Sequence, residues 1–449
     1  MIHLLCNQLK SKDFGPGLLS GYPVIQTDRQ PLIVREVLDN GVRLITERMD
    51  HLRSASVGVW LTRGSRDEPG DRSGIAHFIE HMLFKGTGTR SAEDIAQAID
   101  SVGGHLDAFT AKEYASYYIK VLDEHLPFAW DILSDIVRHP ALRPDDIERE
   151  KKVILEEIKM VEDTPDDLVH ELFTQALWAG HSLGRPILGE PETVGAFDQR
   201  VLQGFFDETY VAPNLLVVAV GNVEHARVRD LVERSFGSLA FVRPGASEGV
   251  PQVMPQVQMR TKELEQSHIC MGVGSYPQHH DDRYASYVLN TVLGGSMSSR
   301  LFQNVREKRG LAYAVFSGLA AYRDAGSLTV YAGCANDAVG EVIDVVVDEV
   351  RGMKVALPDA ELRRAKDHLK GSLMLSLEST SSRMSNLARQ EIYFDRQFSL
   401  DETLEGIERV TREDVQRVAE ELFVNGSMAA TVVGHTSGLG LTQERLDLG

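Results

Sequence analysis

An internal repeat is the feature that most constrains the fold of this 449-residue chain. Pro144-Asp145 opens one long helical pattern and Pro358-Asp359 opens another, at an offset of 214 residues (144 to 358). The apolar pattern 218–221 returns as 431–434, at an offset of 213 (221 to 434). One inserted residue reconciles these offsets. The sequence therefore predicts two related domains of about two hundred residues each.

The order of the elements predicts the fold class of both domains. Each half contains short alternating or buried apolar runs typical of strands, separated by amphipathic helical patterns and closed by a final strand. We expect an α+β protein made of two homologous α/β domains, each an antiparallel-rich sheet with packed helices, produced by internal duplication. The predicted strands are 42–46, 56–62, 105–110, 116–121 and 215–220 in the first half, and 268–272, 312–319, 327–332 and 431–434 in the second.

Changes in composition divide the chain into five predicted segments. Residues 1–31 have no clear period and are expected to form a loosely ordered leader. The first domain spans 32–242. A Pro/Gly/Ser-rich stretch marks 243–256 as a linker. The second domain spans 257–436, and residues 437–449 are expected to form a tail.

Residues 74–86 carry the strongest chemical signal in the chain. The apolar residues there recur at helical spacing, with Ser73 as the expected N-cap and Gly86 near the end. His77 and His81 are four residues apart, so one face of the helix can present both rings to a single metal ion. Glu80 lies beside them and can act on a water molecule. The pattern His-x-x-Glu-His predicts a catalytic zinc site.

A third ligand is expected from the acidic helix that begins near residue 143. Glu150 and Glu157 are seven residues, or two turns, apart and share a face, so either can complete a His, His and Glu set. For any single glutamate here, a solvated charged helix is the plain alternative. The second half has no equivalent site, because 284–290 contains neither His nor Glu and Gly371 stands opposite Glu157. We expect chemistry in the first half and shape or substrate contacts in the second.

Composition excludes several classes of function. A net charge of −19 without a basic block argues against nucleic acid as a partner and favours basic peptides or cations only weakly. No apolar run approaches the roughly 20 residues of a membrane span, and no ordinary signal peptide is expected. The three cysteines, Cys6, Cys270 and Cys334, are far apart and odd in number. They indicate a reducing compartment, and we predict a cytoplasmic location.

Three stretches together resemble the M16 family of inverzincin peptidases, which includes pitrilysin, insulin-degrading enzyme and the mitochondrial processing peptidase. They are HFIEHMLFKGT at 77–87, VILEEI at 153–158 and LGGSMSSRLFQNVREKRGLAY at 293–313. The similarity extends from about residue 34 to 435 and follows the family's order in both halves. At this length the chain is most similar to short two-domain bacterial members related to the β subunit of the processing peptidase.

The resemblance assigns roles within the first half. It places the third zinc ligand 76 residues after the second motif histidine (81 to 157), which selects Glu157 and implies one Zn²⁺ per chain. Glu150 matches the family's additional glutamate, which supports the site without binding the metal. Glu80 is implied to be the general base of a zinc endopeptidase that acts on peptides or on unfolded, presequence-like segments.

The resemblance also implies where substrate binds. Arg306 and Tyr313 match a pair that contacts bound peptide in the family, and Tyr313 is a candidate donor to the oxyanion. Ala108 and Phe109 lie in the strand expected to pair with extended substrate. Asp107 replaces the asparagine that is usual there, and this carboxylate either shifts the preference toward basic residues or has no effect.

Larger members of the family enclose substrate with four such domains, whereas this chain supplies two. We therefore expect a dimer that closes a chamber, with the Arg306 and Tyr313 of one subunit facing the zinc of the other. A homodimer is the simplest form, and a heterodimer is the alternative. The competing function is that of a non-catalytic structural or assembly subunit with the same fold, whose known examples have lost the ligands that this chain keeps.

Overall fold

A computed structural model describes residues 32–242 and 248–449 of the protein. The predicted leader 1–31 and residues 243–247 of the predicted linker lie outside the described residues. The first half builds a six-stranded sheet. Its strands are β1 Leu32–Val37, β2 Arg43–Arg48, β3 Ser54–Leu61, β4 His105–Thr110, β5 Ala115–Leu122 and β6 Leu215–Gly221, in the spatial order β1-β2-β6-β3-β5-β4.

Eight α-helices accompany this sheet in residues 32–242. Proline at the first turn opens several of them, where its missing N–H group costs nothing. The helices are α1 Ile75–Leu83, α2 Ala92–Ser101, α3 Leu126–Arg138, α4 Pro144–Asp163, α5 Pro165–Leu177, α6 Pro191–Ala196, α7 Gln199–Thr209 and α8 His225–Phe236.

The second half builds a five-stranded sheet and six further α-helices. The strands are β7 Val257–Thr261, β8 Gln266–Ser275, β9 Ala312–Ala321, β10 Gly326–Ala335 and β11 Ala429–Gly434, in the order β7-β11-β8-β10-β9. The helices are α9 Arg283–Leu293, α10 Val339–Gly352, α11 Asp359–Ser376, α12 Thr380–Phe394, α13 Leu400–Arg409 and α14 Arg412–Leu422, with a π-helical segment at Phe302–Glu307.

The two sheets have the same topology, which confirms the predicted fold class. Strands β2-β6-β3-β5-β4 correspond to β7-β11-β8-β10-β9, and in each sheet one parallel pair (β2 with β6, β7 with β11) stands among antiparallel neighbours. Gly221 pairs with Arg48 and Gly434 pairs with Thr261, an offset of 213 on both strands (221 to 434, 48 to 261). The repeated glycine has a steric cause, because at Gly221 the φ angle is +126° and a Cβ would lie 2.2 Å from the Ser54 carbonyl oxygen.

One helix from each half packs on the sheet of the other half. Helix α5 packs on β8 and β11, where Phe173 belongs to one buried cluster with Cys270 and Val433. Helix α12 packs on β3 and β6, where Leu387 belongs to one buried cluster with Trp60. The halves are therefore interlocked, because neither sheet buries its second face with helices of its own half alone.

Several details differ from the expected elements. Sequence periodicity predicts single helices over 194–210 and 298–308. The structure divides the first into α6 and α7, and the second is largely π-helical. The edge strands β1 and β7 were not predicted, since their runs LIVREV and VQMRT are short and carry little periodic signal. The segment predicted as a tail packs in the second core through Leu441, Leu446 and Leu448. The domain bounds themselves stay a prediction, because α5 and α12 cross between halves.

In the described part of the chain, no helix combines the length and the apolar character needed to cross a bilayer. Cys270 and Cys334 are buried and unbonded to each other, and Cys6 lies outside the described residues. The cytoplasmic location stays a prediction.

The interlocking of the halves predicts a large stability cost for the change Leu387→Ala. Leu387 is 3% exposed on α12, and its truncation leaves a cavity against the first sheet. We expect the free energy of unfolding to fall by about 2–5 kcal/mol. The matched control is Leu375→Ala, because Leu375 is 71% exposed on α11. Its expected cost is below about 0.5 kcal/mol. Urea unfolding followed by circular dichroism measures both, and equal costs would contradict the packing of α12 on the first sheet.

Candidate metal centre

Helix α1 has one apolar face and one face with polar groups that can bind metal. The apolar face lies in the first core, where every member is fully buried: Ile75, Phe78, Ile79, Met82 and Leu83. His77, Glu80 and His81 occupy the other face and are half-buried. The 3.6-residue period of the helix separates these two sets, so the core contacts fix the direction of the polar face.

Helix α4 packs against α1 and adds a carboxylate to the two histidines. The Glu157 Oε2 atom lies 3.9 Å from Nε2 of His77 and 3.7 Å from Nε2 of His81. The two imidazole rings are 4.6 Å apart between centroids. One ligand atom from each of the three residues lies within 4.8 Å of the other two. Within residues 32–242 and 248–449, this is the one group of His, Cys, Asp and Glu side chains found with such spacing.

Glu150 lies behind this group rather than in it. It is 4% exposed, and its Oε2 atom lies 3.1 Å from Nδ1 of His81. Its Oε1 atom forms an ion pair of 2.8 Å with Nζ of Lys85. A carboxylate that accepts a hydrogen bond from one ring nitrogen leaves the other nitrogen, here Nε2, free to bind a metal. Glu150 thus orients His81.

The donor set fits a zinc ion. Burial, and secondarily the neighbouring His81, lowers the pKa of His77 to about 4, so its ring is neutral at physiological pH. The buried Nδ1 atom of His77 has no hydrogen-bond partner among the described residues. Two neutral imidazoles and one carboxylate are the ligands of many catalytic zinc sites, in which a fourth position stays open. His77, His81 and Glu157 can therefore hold Zn²⁺.

Glu80 lies on α1 between the two histidines and faces a cleft. Its Oε2 atom accepts a hydrogen bond of 2.5 Å from the hydroxyl of Thr110. Burial is the main cause that raises the pKa of the Glu80 carboxyl, and Asp107 and Glu157 add to it. A raised pKa suits a group that both accepts and returns a proton. The cleft has a volume of about 260 Å³ and is lined by Glu80, His81, Phe84, Lys85, Leu106, Asp107 and Ala108.

Strand β4 forms the wall of this cleft and is an edge strand, because it pairs only with β5. Ala108 is half-buried and Phe109 is 39% exposed. The Asp107 carboxylate accepts a hydrogen bond of 2.9 Å from Tyr118 on β5. The edge therefore has backbone groups available to an added strand beside Glu80.

Arg306 and Tyr313 lie in the second half, away from the metal group. The Arg306 guanidinium carbon is 5.0 Å from the centroid of the Tyr313 ring and 4.8 Å from that of Phe302. Tyr313 is 78% exposed. Among the described residues, no hydrogen bond, ion pair or ring contact joins either side chain to the ligand group. The single chain thus brings together His77, His81, Glu157, Glu150 and Glu80, but not this pair.

Sequence reasoning missed three side chains at the centre: Thr110, Lys85 and Glu68. Glu68 replaces the expected cap, because the N-cap is Gly74 and the Ser73 hydroxyl has no hydrogen-bond partner among the described residues. The backbone N–H groups of Gly74 and Ala76 each donate to Glu68 at 2.8 Å. Burial raises the pKa of the Glu68 carboxyl to about 8, although the two backbone hydrogen bonds act to lower it. No local pattern distinguishes Glu68 from the other acidic residues, because its partners are set by the path of the loop.

The equivalent position in the second half has no comparable group. Helix α9 follows β8 as α1 follows β3, yet its sequence RYASYVLNTVL contains neither His nor Glu. Gly371 lies on α11, the counterpart of α4. The duplicated backbone therefore carries metal-binding side chains in one copy.

Two family models match the chain. Insulinase (Peptidase family M16) matches residues 43–191, and Peptidase M16 inactive domain matches residues 196–369. The uncharacterized zinc protease YmxG of Bacillus subtilis is 41% identical over 404 residues, which cover 89% of this chain and 98% of that protein. An uncharacterized zinc protease of Mycobacterium tuberculosis is 42% identical over 416 residues, which cover 91% of this chain and 95% of that protein.

Two solved structures share the fold. A protease from Helicobacter pylori superposes with a TM-score of 0.83 at 22% identity, over 90% of this chain and all (100%) of that one. The peptidase M16 inactive domain from Pseudomonas fluorescens gives a TM-score of 0.85 at 20% identity, over 90% of this chain and 98% of that one. With both halves matched and relatives named as zinc proteases across most of its length, this chain belongs to the insulinase family of peptidases, peptidase family M16.

Proposed function

We propose that the protein is a zinc-dependent endopeptidase that hydrolyses peptides or unfolded, presequence-like segments. The observation that carries this proposal is the group formed by His77, His81 and Glu157 with Glu80 beside it at the same cleft. A structural subunit would need no such set of partly buried ionisable side chains, which is costly to keep without a function.

His77, His81 and Glu157 hold one zinc ion per chain in this proposal. Zinc bound there supplies Lewis acidity, which lowers the pKa of water and polarises a carbonyl group. Glu150 keeps the His81 ring oriented through its bond to Nδ1, while Lys85 balances the charge of Glu150. These contacts fix the ligand positions before substrate arrives.

Glu80 is the general base and then the general acid. The Thr110 hydroxyl occupies Oε2, which leaves Oε1 to take a proton from the water that attacks the scissile carbonyl. The same carboxyl returns that proton to the leaving amine nitrogen, so no net proton is gained or lost. Its raised pKa favours both transfers near neutral pH.

Substrate binds in an extended conformation along the edge of β4. An added strand gains backbone hydrogen bonds whatever its sequence, which suits an enzyme acting on unfolded segments. Ala108 and Phe109 contact its side chains, and Asp107 adds a negative charge next to the cleft. The chain's net charge of −19 favours basic peptides in the same direction.

Two subunits are proposed to close a chamber around the cleft. Arg306, stacked on the Tyr313 ring, lies on the second half beside β9, which is an edge strand like β4. Tyr313 is 78% exposed and Phe316 is 46% exposed on this strand, so both rings are accessible to a partner in the single chain. In a homodimer this surface of one subunit faces the zinc of the other, and a heterodimer with a related chain is the alternative.

The first test of the mechanism is Glu80→Gln. Removing the group that transfers the proton should lower kcat for a quenched basic peptide by about 10²–10⁴-fold, with zinc content unchanged. Glu156→Gln, at an exposed position of α4, is the control and should keep wild-type kcat. If both proteins bind zinc and cleave the peptide equally well, the mechanism is wrong. If wild type neither binds zinc nor cleaves the peptide, the result favours the structural subunit.

A second test concerns Glu150, which touches a ligand without binding the metal. The change Glu150→Gln should weaken zinc affinity by about 10–100-fold, as for other partners of metal-bound histidines. Competition with a chromophoric chelator measures this affinity. Glu148→Gln, at a residue on the same helix whose side chain is 68% exposed, is the control. An unchanged affinity in Glu150→Gln would contradict its orienting role.

Mixing two inactive variants tests the shared chamber. Glu80→Gln lacks the base but keeps Arg306, whereas Arg306→Ala keeps the base. If Arg306 acts across the interface, random exchange of subunits should restore about a quarter of wild-type kcat, because half the dimers are mixed and each has one complete site. A mixture of Glu80→Gln with His77→Ala should stay inactive. No recovery in the first mixture, or full activity of a monomer at high dilution, would refute the arrangement.

A further inference from the structure

The loop 62–74 joins β3 to α1 and contains three consecutive charged residues with different partners. Arg66 is 3% exposed and Glu68 is 4% exposed, although both side chains are ionisable. Burial of a charged group is costly unless other groups compensate it closely. The partners of Arg66, Asp67 and Glu68 therefore reveal what this loop connects.

Glu68 forms the end of the loop that contacts the metal helix. Its Oε2 atom accepts from the backbone N–H of Gly74, and its Oε1 atom accepts from that of Ala76, each at 2.8 Å. The first N–H groups of a helix have no partner within the helix, so Glu68 satisfies two backbone donors that the helix itself leaves unpaired. His77 directly follows Ala76, so Glu68 fixes the turn from which His77 reaches the centre.

Arg66 and Asp67 form the other end, which contacts the second half. The Arg66 guanidinium donates to both oxygens of Asp324 and to Glu113, each at 2.7 Å. Asp324 lies in the turn 322–325 between β9 and β10. Arg323 from the same turn donates to Asp67 at 3.2 Å and to Glu113 at 2.8 Å. A bidentate pair of this kind restricts orientation as well as distance.

Glu113 provides a second route from the same turn to the centre. It lies in the turn 111–114 between β4 and β5, and β4 ends at Thr110, whose hydroxyl donates to Glu80. The loop 62–74 lies tightly against this turn, because a Cβ at Gly64 would come 2.4 Å from the Ala111 carbonyl oxygen. The turn 322–325 thus contacts both elements that place Glu80 and His77.

We propose that the loop 62–74 makes the metal centre depend on the position of the second half, with Glu68 as a positioning residue for α1 and Arg66 as the contact to Asp324. The inference rests on the proposed role of His77, His81 and Glu157 as ligands. It gives the half without metal residues a role in the metal centre. The second half acts on the metal centre through the contacts that the turn 322–325 makes with the loop 62–74 and with Glu113.

The test is Co²⁺ binding by the metal-free full-length protein, in Glu68→Gln and in Asp324→Asn. Each amide replaces one accepting oxygen by a donor, so one of two hydrogen bonds to Gly74 and Ala76, or to Arg66, is lost. We expect Co²⁺ affinity to fall about 10-fold in each variant, as when groups behind metal ligands are removed. The d–d absorption of bound Co²⁺ should shift, and amide hydrogen exchange of residues 76–80 should rise relative to β6.

Two controls separate this effect from a general loss of stability. Asp71→Asn makes the same carboxyl-to-amide change at an exposed position of the same loop. Asp344→Asn breaks a bidentate pair with Arg445 that lies wholly in the second half. Both controls should keep Co²⁺ affinity within about twofold of wild type. Should Asp324→Asn not fold, Arg323→Gln removes the bonds to Asp67 and Glu113 from a partly exposed side chain and serves in its place.

The outcomes are distinguishable. Wild-type protein that binds no Co²⁺, or that binds it equally after His77→Ala, overturns the proposed function and this inference with it. Wild-type binding that depends on His77, together with unchanged affinity and exchange in Glu68→Gln or Asp324→Asn, overturns this inference alone. Loss of affinity in both variants, with a double variant that loses less than the product of the two, supports one shared path.

Discussion

The contact between α1 and α4 is the constraint on which the rest of the structure depends. These helices bury apolar faces in one core and leave two histidines and three glutamates together at its edge. Lys85 forms an ion pair with one of those carboxylates, so the group keeps an excess of acidic side chains, which suits it to bind a divalent cation. Such ionisable side chains would have a lower free energy at positions exposed to water. Their partial burial is understandable as the cost of a preformed site.

The two halves position this contact together. Helix α5 follows α4 after a single residue and packs on the second sheet, so the end of the ligand-bearing helix is anchored by the half that has no ligands. In the same way, helix α12 of the second half packs on the first sheet. Ion pairs between the halves, such as Arg66 with Asp324 and Arg383 with Glu47, are largely shielded from water and fix the orientation more strictly than apolar packing does.

Duplication explains both the likeness of the halves and their difference. The same sheet order and the same glycine ending β6 and β11 show that backbone geometry is kept where sterics demand it. Side chains at the site are not demanded by the fold, and α9 and Gly371 show that the same position folds without them. An exposed aromatic surface at Tyr313 and Phe316 occurs in the copy that lacks ligands. The fold therefore places the metal-binding side chains and these exposed aromatic side chains in different halves.

The sequence alone determined everything that depends on local periodicity. Helical spacing placed His77, Glu80 and His81 on one face, and the repeat fixed two domains of equal topology, because both follow from intervals along the chain. Selection of Glu157 over Glu150 needed a family resemblance, since both share a face of α4. Only the tertiary structure decided that Glu150 bonds to His81, that α5 and α12 exchange sheets, and that Glu68 rather than Ser73 caps α1. An amphipathic pattern shows that a face is buried but not against which partner. A contact such as that of Arg66 with Asp324, which are 258 residues apart, produces no recognisable pattern in the local sequence.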